Sequence, residues 1–157
     1  RPAHPAGTAS LLTRTPAPTP NVLSIAGTDP TGGAGIQADL KSIAAAGGYG
    51  MCVVTALVAQ NTQGVREIHT PPQDFLKAQL DAVFDDVEVD AVKVGMLGDA
   101  ATTRTVSDYL AAHPVAHVVV DPVMVATSGD RLLTEDAEDA LRRFVAEHAS
   151  VVTTNLP

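Results

Sequence analysis

Aromatic residues are scarce in this chain of 157 residues: Phe, Tyr and Trp make up 3% of it, and Trp is absent. A core must therefore be assembled mainly from Val, Ala, Leu and Ile, and the hydrophobic fraction of 45% is ordinary for a globular domain. Cysteine is almost missing as well. Cys52 alone excludes an intramolecular disulfide and a cysteine-rich zinc site, and it fits a reducing cytoplasm. Basic residues are few, 10 Lys and Arg against 18 Asp and Glu, which gives a net charge of −8. Such a balance disfavours nonspecific binding to nucleic acid or to an anionic membrane. No apolar run has the length of a transmembrane helix, and Leu11-Leu12 is too short for the core of a signal peptide. The five histidines lack metal-ligand spacing, since Pro114 interrupts any helix between His113 and His117. No dedicated metal site is expected.

What is present begins with a proline-rich stretch. Residues 1–20 hold five prolines and little apolar content, and read as a flexible leader outside the folded domain. From residue 21 onward, short apolar runs alternate with helical patterns. Strands are expected at 22–26, from Met51 to Ala59, at Ala91–Val94, at Val118–Val120 and from Val151, with a short edge strand at Val65–Ile68. Helices are expected from Gly33 to Ala46, from Pro71-Pro72 onward with a stripe of Leu76, Leu80, Val83 and Phe84, at 100–112 behind an Asp99 cap, and at 135–148 behind a Thr134 cap. This alternation predicts an α/β fold, a doubly wound and mostly parallel sheet flanked by helices. In such sheets ligands bind beyond the carboxyl ends of the strands. The polar and glycine-rich segments 27–35, 60–64, 95–98 and 121–130 all follow strands, so they should gather along one edge.

The segment Ala26-Gly27-Thr28-Asp29-Pro30-Thr31-Gly32-Gly33-Ala34-Gly35-Ile36-Gln37-Ala38-Asp39 reads as strand, glycine-rich turn and helix. A helix N-terminus with a pliable turn can hold a small polar molecule. Gly33 to Ala38 formally fits the dinucleotide pattern, but the next strand ends in Ala59-Gln60-Asn61 and supplies no acid for a ribose. Asp29 would also repel a pyrophosphate, and no Gly-Lys-Ser/Thr follows to make a P-loop.

Other residues carry two readings each. Asp39 lies about 60° from Ile36 and about 40° from Ile43 around an ideal helix, so it flanks the buried stripe and needs a partner. That partner is either a neighbouring N–H or basic side chain, or a donor on a ligand. Gln60 either caps its loop or offers a donor beside an acceptor, matching the edge of an aminopyrimidine. Met96 either fills core or packs on a flat ring. Asp121 either caps its loop or organises a cation or phosphate. Cys52, inside a strand, reads as a small core residue.

Taken together, the motifs resemble a known family. The segment 26–39, then Thr55-Ala56-Leu57-Val58-Ala59-Gln60-Asn61-Thr62, Lys93-Val94-Gly95-Met96-Leu97, Asp121-Pro122-Val123-Met124 and Ser128-Gly129-Asp130 follow the order found in hydroxymethylpyrimidine/phosphomethylpyrimidine kinases, ribokinase-like enzymes of thiamine biosynthesis. The resemblance covers residues 21–157. It implies ATP-dependent, magnesium-assisted phosphorylation of 4-amino-5-hydroxymethyl-2-methylpyrimidine and then of its monophosphate. By position it places the pyrimidine among Gly27, Ala34, Asp39, Val58, Gln60, Met96 and Val123, with Asp121 and Asn155 on the magnesium and phosphate side. Asn155-Leu156-Pro157 resembles the start of the family's Asn-x-x-Glu segment, with Thr154 where the family usually has Pro. The resemblance thus implies the N-terminal, substrate-side part of the kinase domain. The ATP-binding part and the catalytic residue at the reacting centre are expected beyond Pro157, and negligible phosphoryl transfer is expected from these residues alone. A cut parallel sheet is also expected to be poorly stable or to self-associate, and the family's tendency to dimers leaves a homodimer open. A non-catalytic pyrimidine-binding remnant and a kinase for a pyridoxal-type vitamin ring are the alternatives.

Overall fold

A computed structural model describes residues 18–122 and 135–153. Its central feature is a parallel sheet of five strands in the order β2-β1-β5-β6-β7. These strands are β1 (Asn21–Ala26), β2 (Tyr49–Val54), β5 (Ala91–Val94), β6 (His117–Val120) and β7 (Val151–Val152). A separate antiparallel pair, β3 (Leu57–Asn61) and β4 (Gly64–His69), stands apart from that sheet. The helices are α1 (Gly35–Ala45), α2 (Gln73–Phe84), α3 (Ala100–Ala112) and α4 (Glu135–His148). The doubly wound parallel architecture expected from the alternation is present.

Residue alternation along the strands explains how the layers form. Leu23 and Ile25 of β1, Val92 and Val94 of β5, and Val118 and Val120 of β6 point into one core with Leu76 and Leu80 of α2, Val106 and Leu110 of α3, and Leu141 and Phe144 of α4. The intervening positions face the other way, and there Ser24 meets α1. Strands with both faces in use read as continuous apolar runs. The α2 stripe lies as its spacing predicts: Leu76 and Leu80 are buried, with Val83 and Phe84 packed beside them. Asp99 caps α3, its Oδ1 accepting from Thr102 N at 2.7 Å.

One expectation needs revision. The apolar run from Met51 to Ala59 is not one strand but the end of β2 and the start of β3. The break falls at Thr55-Ala56, where backbone groups are claimed by loops. Thr55 N donates to Ala26 O, Ala56 O accepts from Thr28 N, and Thr55 Oγ1 donates to Met96 O at 2.7 Å. The short strand expected at Val65–Ile68 is present as β4, paired with β3. Of the proposed leader, residues 1–17 lie outside the described residues, and 18–20 are exposed. Thr134 also lies outside them.

Leu80 is fully buried where α2 meets the sheet, whereas Phe75, on the outer face of the same helix, is 58% exposed. Leu80→Ala is expected to lower the unfolding free energy in urea by about 3 kcal/mol. Phe75→Ala should change it by less than about 0.5 kcal/mol.

Candidate functional site

The turn between β1 and α1 is built around one carboxylate. Asp29 Oδ2 accepts from the backbone N–H of Gly33 at 3.0 Å and of Ala34 at 2.8 Å. Its Oδ1 accepts from Thr31 N at 3.0 Å and Thr31 Oγ1 at 2.8 Å. In return, Asp29 N donates to Gln37 Oε1 in the first turns of α1 at 2.8 Å. Converging N–H groups at a helix entrance form a nest for an anion. Here the chain's own carboxylate fills it. Burial works to raise the Asp29 pKa, but hydrogen bonds from Thr31, Gln60 and Ala34 outweigh it and hold the carboxyl below its ordinary value.

Gly35 closes the turn. Its φ of +57° suits glycine, and an added Cβ would stand 2.5 Å from Gly27 O, the same oxygen that accepts from Ile36 N.

Beyond this turn lies a small apolar wall, separate from the main core. Ala56, Val58 and Met96 are buried together, with Val65 against them. Gly27 forms part of the same surface: a Cβ there would meet Met96 Cε at 2.7 Å and Val58 Cγ2 at 3.6 Å. Thr28 fastens the hairpin to the turn, its Oγ1 accepting from Val58 N at 2.9 Å while its N–H reaches Ala56 O. A groove of about 370 Å³ opens between turn and hairpin, lined by Thr28, Pro30, Leu57, Val58, Glu67 and His69 among others. The β3–β4 register shifts between Ala59 and Gln60. The residue left without a register partner is Arg66, so the bulge lies on β4, and the Gln60 carboxamide sits close enough to Asp29 to help hold it ionised.

The structure gives Asp39 two protein partners. Its Oδ2 accepts from Ser24 Oγ at 2.7 Å and pairs with Lys93 Nζ at 2.9 Å. The network is partly buried, with the Lys93 side chain 26% exposed and that of Asp39 16%. It joins α1 to the two neighbouring strands β1 and β5. Sequence reasoning missed Lys93. The usable signal was a lone ammonium inside the apolar run Ala91-Val92-Lys93-Val94, which needs a counter-charge as much as Asp39 does.

The remaining candidates are dispersed. Ala34 is exposed and takes part through its N–H to Asp29. Asp121 is half-buried at the end of β6, its N–H donating to Val94 O at 2.8 Å. Val123 and Asn155 lie outside the described residues. Among the described residues, no group of three or more His, Cys, Asp and Glu side chains converges as a metal site, and no helix is long and apolar enough to cross a membrane. A larger groove of about 460 Å³ lies between α2 and α3, against Lys77, Tyr109 and His113, and none of the candidate residues lines it.

Two measurements follow from this geometry. Gly35→Ala is expected to lower the midpoint of thermal unfolding, with a loss of at least about 1–2 kcal/mol from the left-handed backbone alone. Asp29→Asn keeps the side-chain shape but removes the charge. Because folding lowers the Asp29 pKa, its contribution is fully present above the unfolded-state pKa and is lost as pH falls through the folded one. The stability gap between wild type and Asp29→Asn should therefore hold steady near neutrality and shrink below about pH 4, as read by urea unfolding across pH.

Comparison with known proteins bears on the family and the fold. The family model described as phosphomethylpyrimidine kinase matches residues 29–157. The chain is 69% identical over 138 residues to a thiamine biosynthesis multifunctional protein, ThiED, of Corynebacterium glutamicum, covering 88% of this chain and 18% of that protein. It is 52% identical over 137 residues to a hydroxymethylpyrimidine/phosphomethylpyrimidine kinase of Salmonella typhimurium, covering 87% of this chain and 52% of that one. A crystal structure of phosphomethylpyrimidine kinase from Clostridium difficile 630 superposes with a TM-score of 0.80 at 40% identity, over 85% of this chain and 58% of that one. The chain thus spans about half the length of the single-function relative, and less of the multifunctional one.

Proposed function

The chain belongs to the phosphomethylpyrimidine kinase family, and from that premise we propose that it forms the pyrimidine-binding side of an ATP-dependent kinase of thiamine biosynthesis. The substrate would be 4-amino-5-hydroxymethyl-2-methylpyrimidine, phosphorylated on its hydroxymethyl group and then on the resulting monophosphate.

The observation that carries this reading is the wall formed by Gly27, Val58 and Met96, with Gln60 two residues beyond Val58 on the same strand. The Met96 thioether, whose methyl packs on Gly27, can offer its other side to one face of a flat ring. A carboxamide beside it can accept from an exocyclic amine and donate to the adjacent ring nitrogen. Ala34, Asp39 and Val123 complete the set implied by family position. The filled nest at Asp29 supports a neutral ring at this end of the pocket. In phosphoryl transfer most of the catalysis is positioning and charge stabilisation around the transferred group. On this reading ATP and magnesium are handled towards Asp121 and Asn155, with the magnesium carried on the nucleotide phosphates. A cytoplasmic location and a homodimeric assembly accompany the reading, both on the strength of the family resemblance.

Calorimetry with hydroxymethylpyrimidine tests the proposal. Saturable binding is expected, and the Gln60→Ala variant should weaken it by about 1–3 kcal/mol, since a desolvated amine and ring nitrogen lose their partner. An analogue lacking the amine should bind the wild type as poorly, and pyridoxal should compete weakly. Strong preference for pyridoxal, or no binding of the pyrimidine, would overturn it.

A further inference from the structure

We propose that Lys93 is a positioning residue for substrate recognition: it fixes the Asp39 carboxylate so that one of its oxygens is presented to the amine of the pyrimidine. The inference rests on the reading of the pocket as an aminopyrimidine site.

Lys93 Nζ and Ser24 Oγ both engage Asp39 Oδ2, at 2.9 Å and 2.7 Å. A carboxylate serving only to tie α1 to the sheet could use either oxygen for either donor. Convergence of both on Oδ2 leaves Oδ1 as the acceptor for a third group. The amine of the ligand has two N–H bonds. If Gln60 takes one of them together with the neighbouring ring nitrogen, the other must find an acceptor once water is excluded.

The ammonium also sits where it can matter to the pocket. A Cβ on Gly95 would lie 3.0 Å from Lys93 Nζ and 3.0 Å from Ala26 Cβ. The lysine head group therefore lies beside Gly95 and Ala26, the chain neighbours of Met96 and Gly27. Gly95 keeps open the space that the lysine head group occupies. Lys93 itself has no need to touch the ligand, and its effect passes through Asp39.

The test uses two ligands, hydroxymethylpyrimidine and its analogue without the amine, with calorimetry on wild type, Lys93→Met and Lys93→Arg. Lys93→Met keeps most of the stem and removes the charge. It should weaken the amino compound about tenfold or more while shifting the analogue less than about twofold, because only the first needs the oriented acceptor. Lys93→Arg should recover most of the loss. Equal weakening of both ligands would show a merely structural tie, and unchanged affinity for the amino compound would show no role; either overturns the inference. Should Lys93→Met fail to fold, Gly95→Ala decides, because it displaces Nζ without removing the charge: the same selective loss supports the inference, and its absence overturns it. A wild type that binds the amino compound no better than the analogue would instead refute the pocket assignment, and this inference with it.

Discussion

One carboxylate holds the β1–α1 turn together. Asp29 gathers the N–H groups of Thr31, Gly33 and Ala34 and is itself tied back to Gln37. That arrangement sets where α1 begins, and hence where Asp39 meets Ser24 and Lys93 on the adjacent strands β1 and β5. It also places Thr28, whose two hydrogen bonds hold the hairpin against the turn. The same geometry that serves many folds as a phosphate cradle is here satisfied internally. An anion approaching this helix end would meet a buried negative charge rather than free donors.

Much of this was legible in the sequence because local signals agreed with one another. The α3 helix starts behind Asp99 and ends before Pro114, and its bounds match the expected 100–112. The stripe Leu76, Leu80 fixed the inner face of α2. The failures share a cause: each depends on a partner distant in the chain. Nothing local marks Thr55-Ala56 as a break, since the apolar run continues through it. The break exists because Thr55 and Ala56 answer to Met96, Ala26 and Thr28.

The charged residues teach the same lesson. Asp39 and Lys93 are 54 positions apart, and each alone is ambiguous. Considered as a pair, two ions on apolar elements each demand the other, and the parallel order β1-β5 brings them together. Asp39 thereby satisfies its structural need with one oxygen, so a protein partner and a ligand partner need not exclude each other. Gly95 and Gly27 have a related role, since each leaves room for a specific neighbouring side chain, Lys93 in one case and Met96 in the other.

The hairpin that walls the groove stands outside the main sheet. Its strands pair only with each other there, its outer residues Leu57 and Ile68 are 52% and 43% exposed, and its buried anchor is the small group Ala56, Val58 and Met96. Segments with few buried contacts open at lower free energy than the core they border. The amides of β3 and β4 should accordingly exchange with solvent well before those of β1 and β5. Opening of the hairpin would also release Thr28, whose two hydrogen bonds tie the hairpin to the β1–α1 turn.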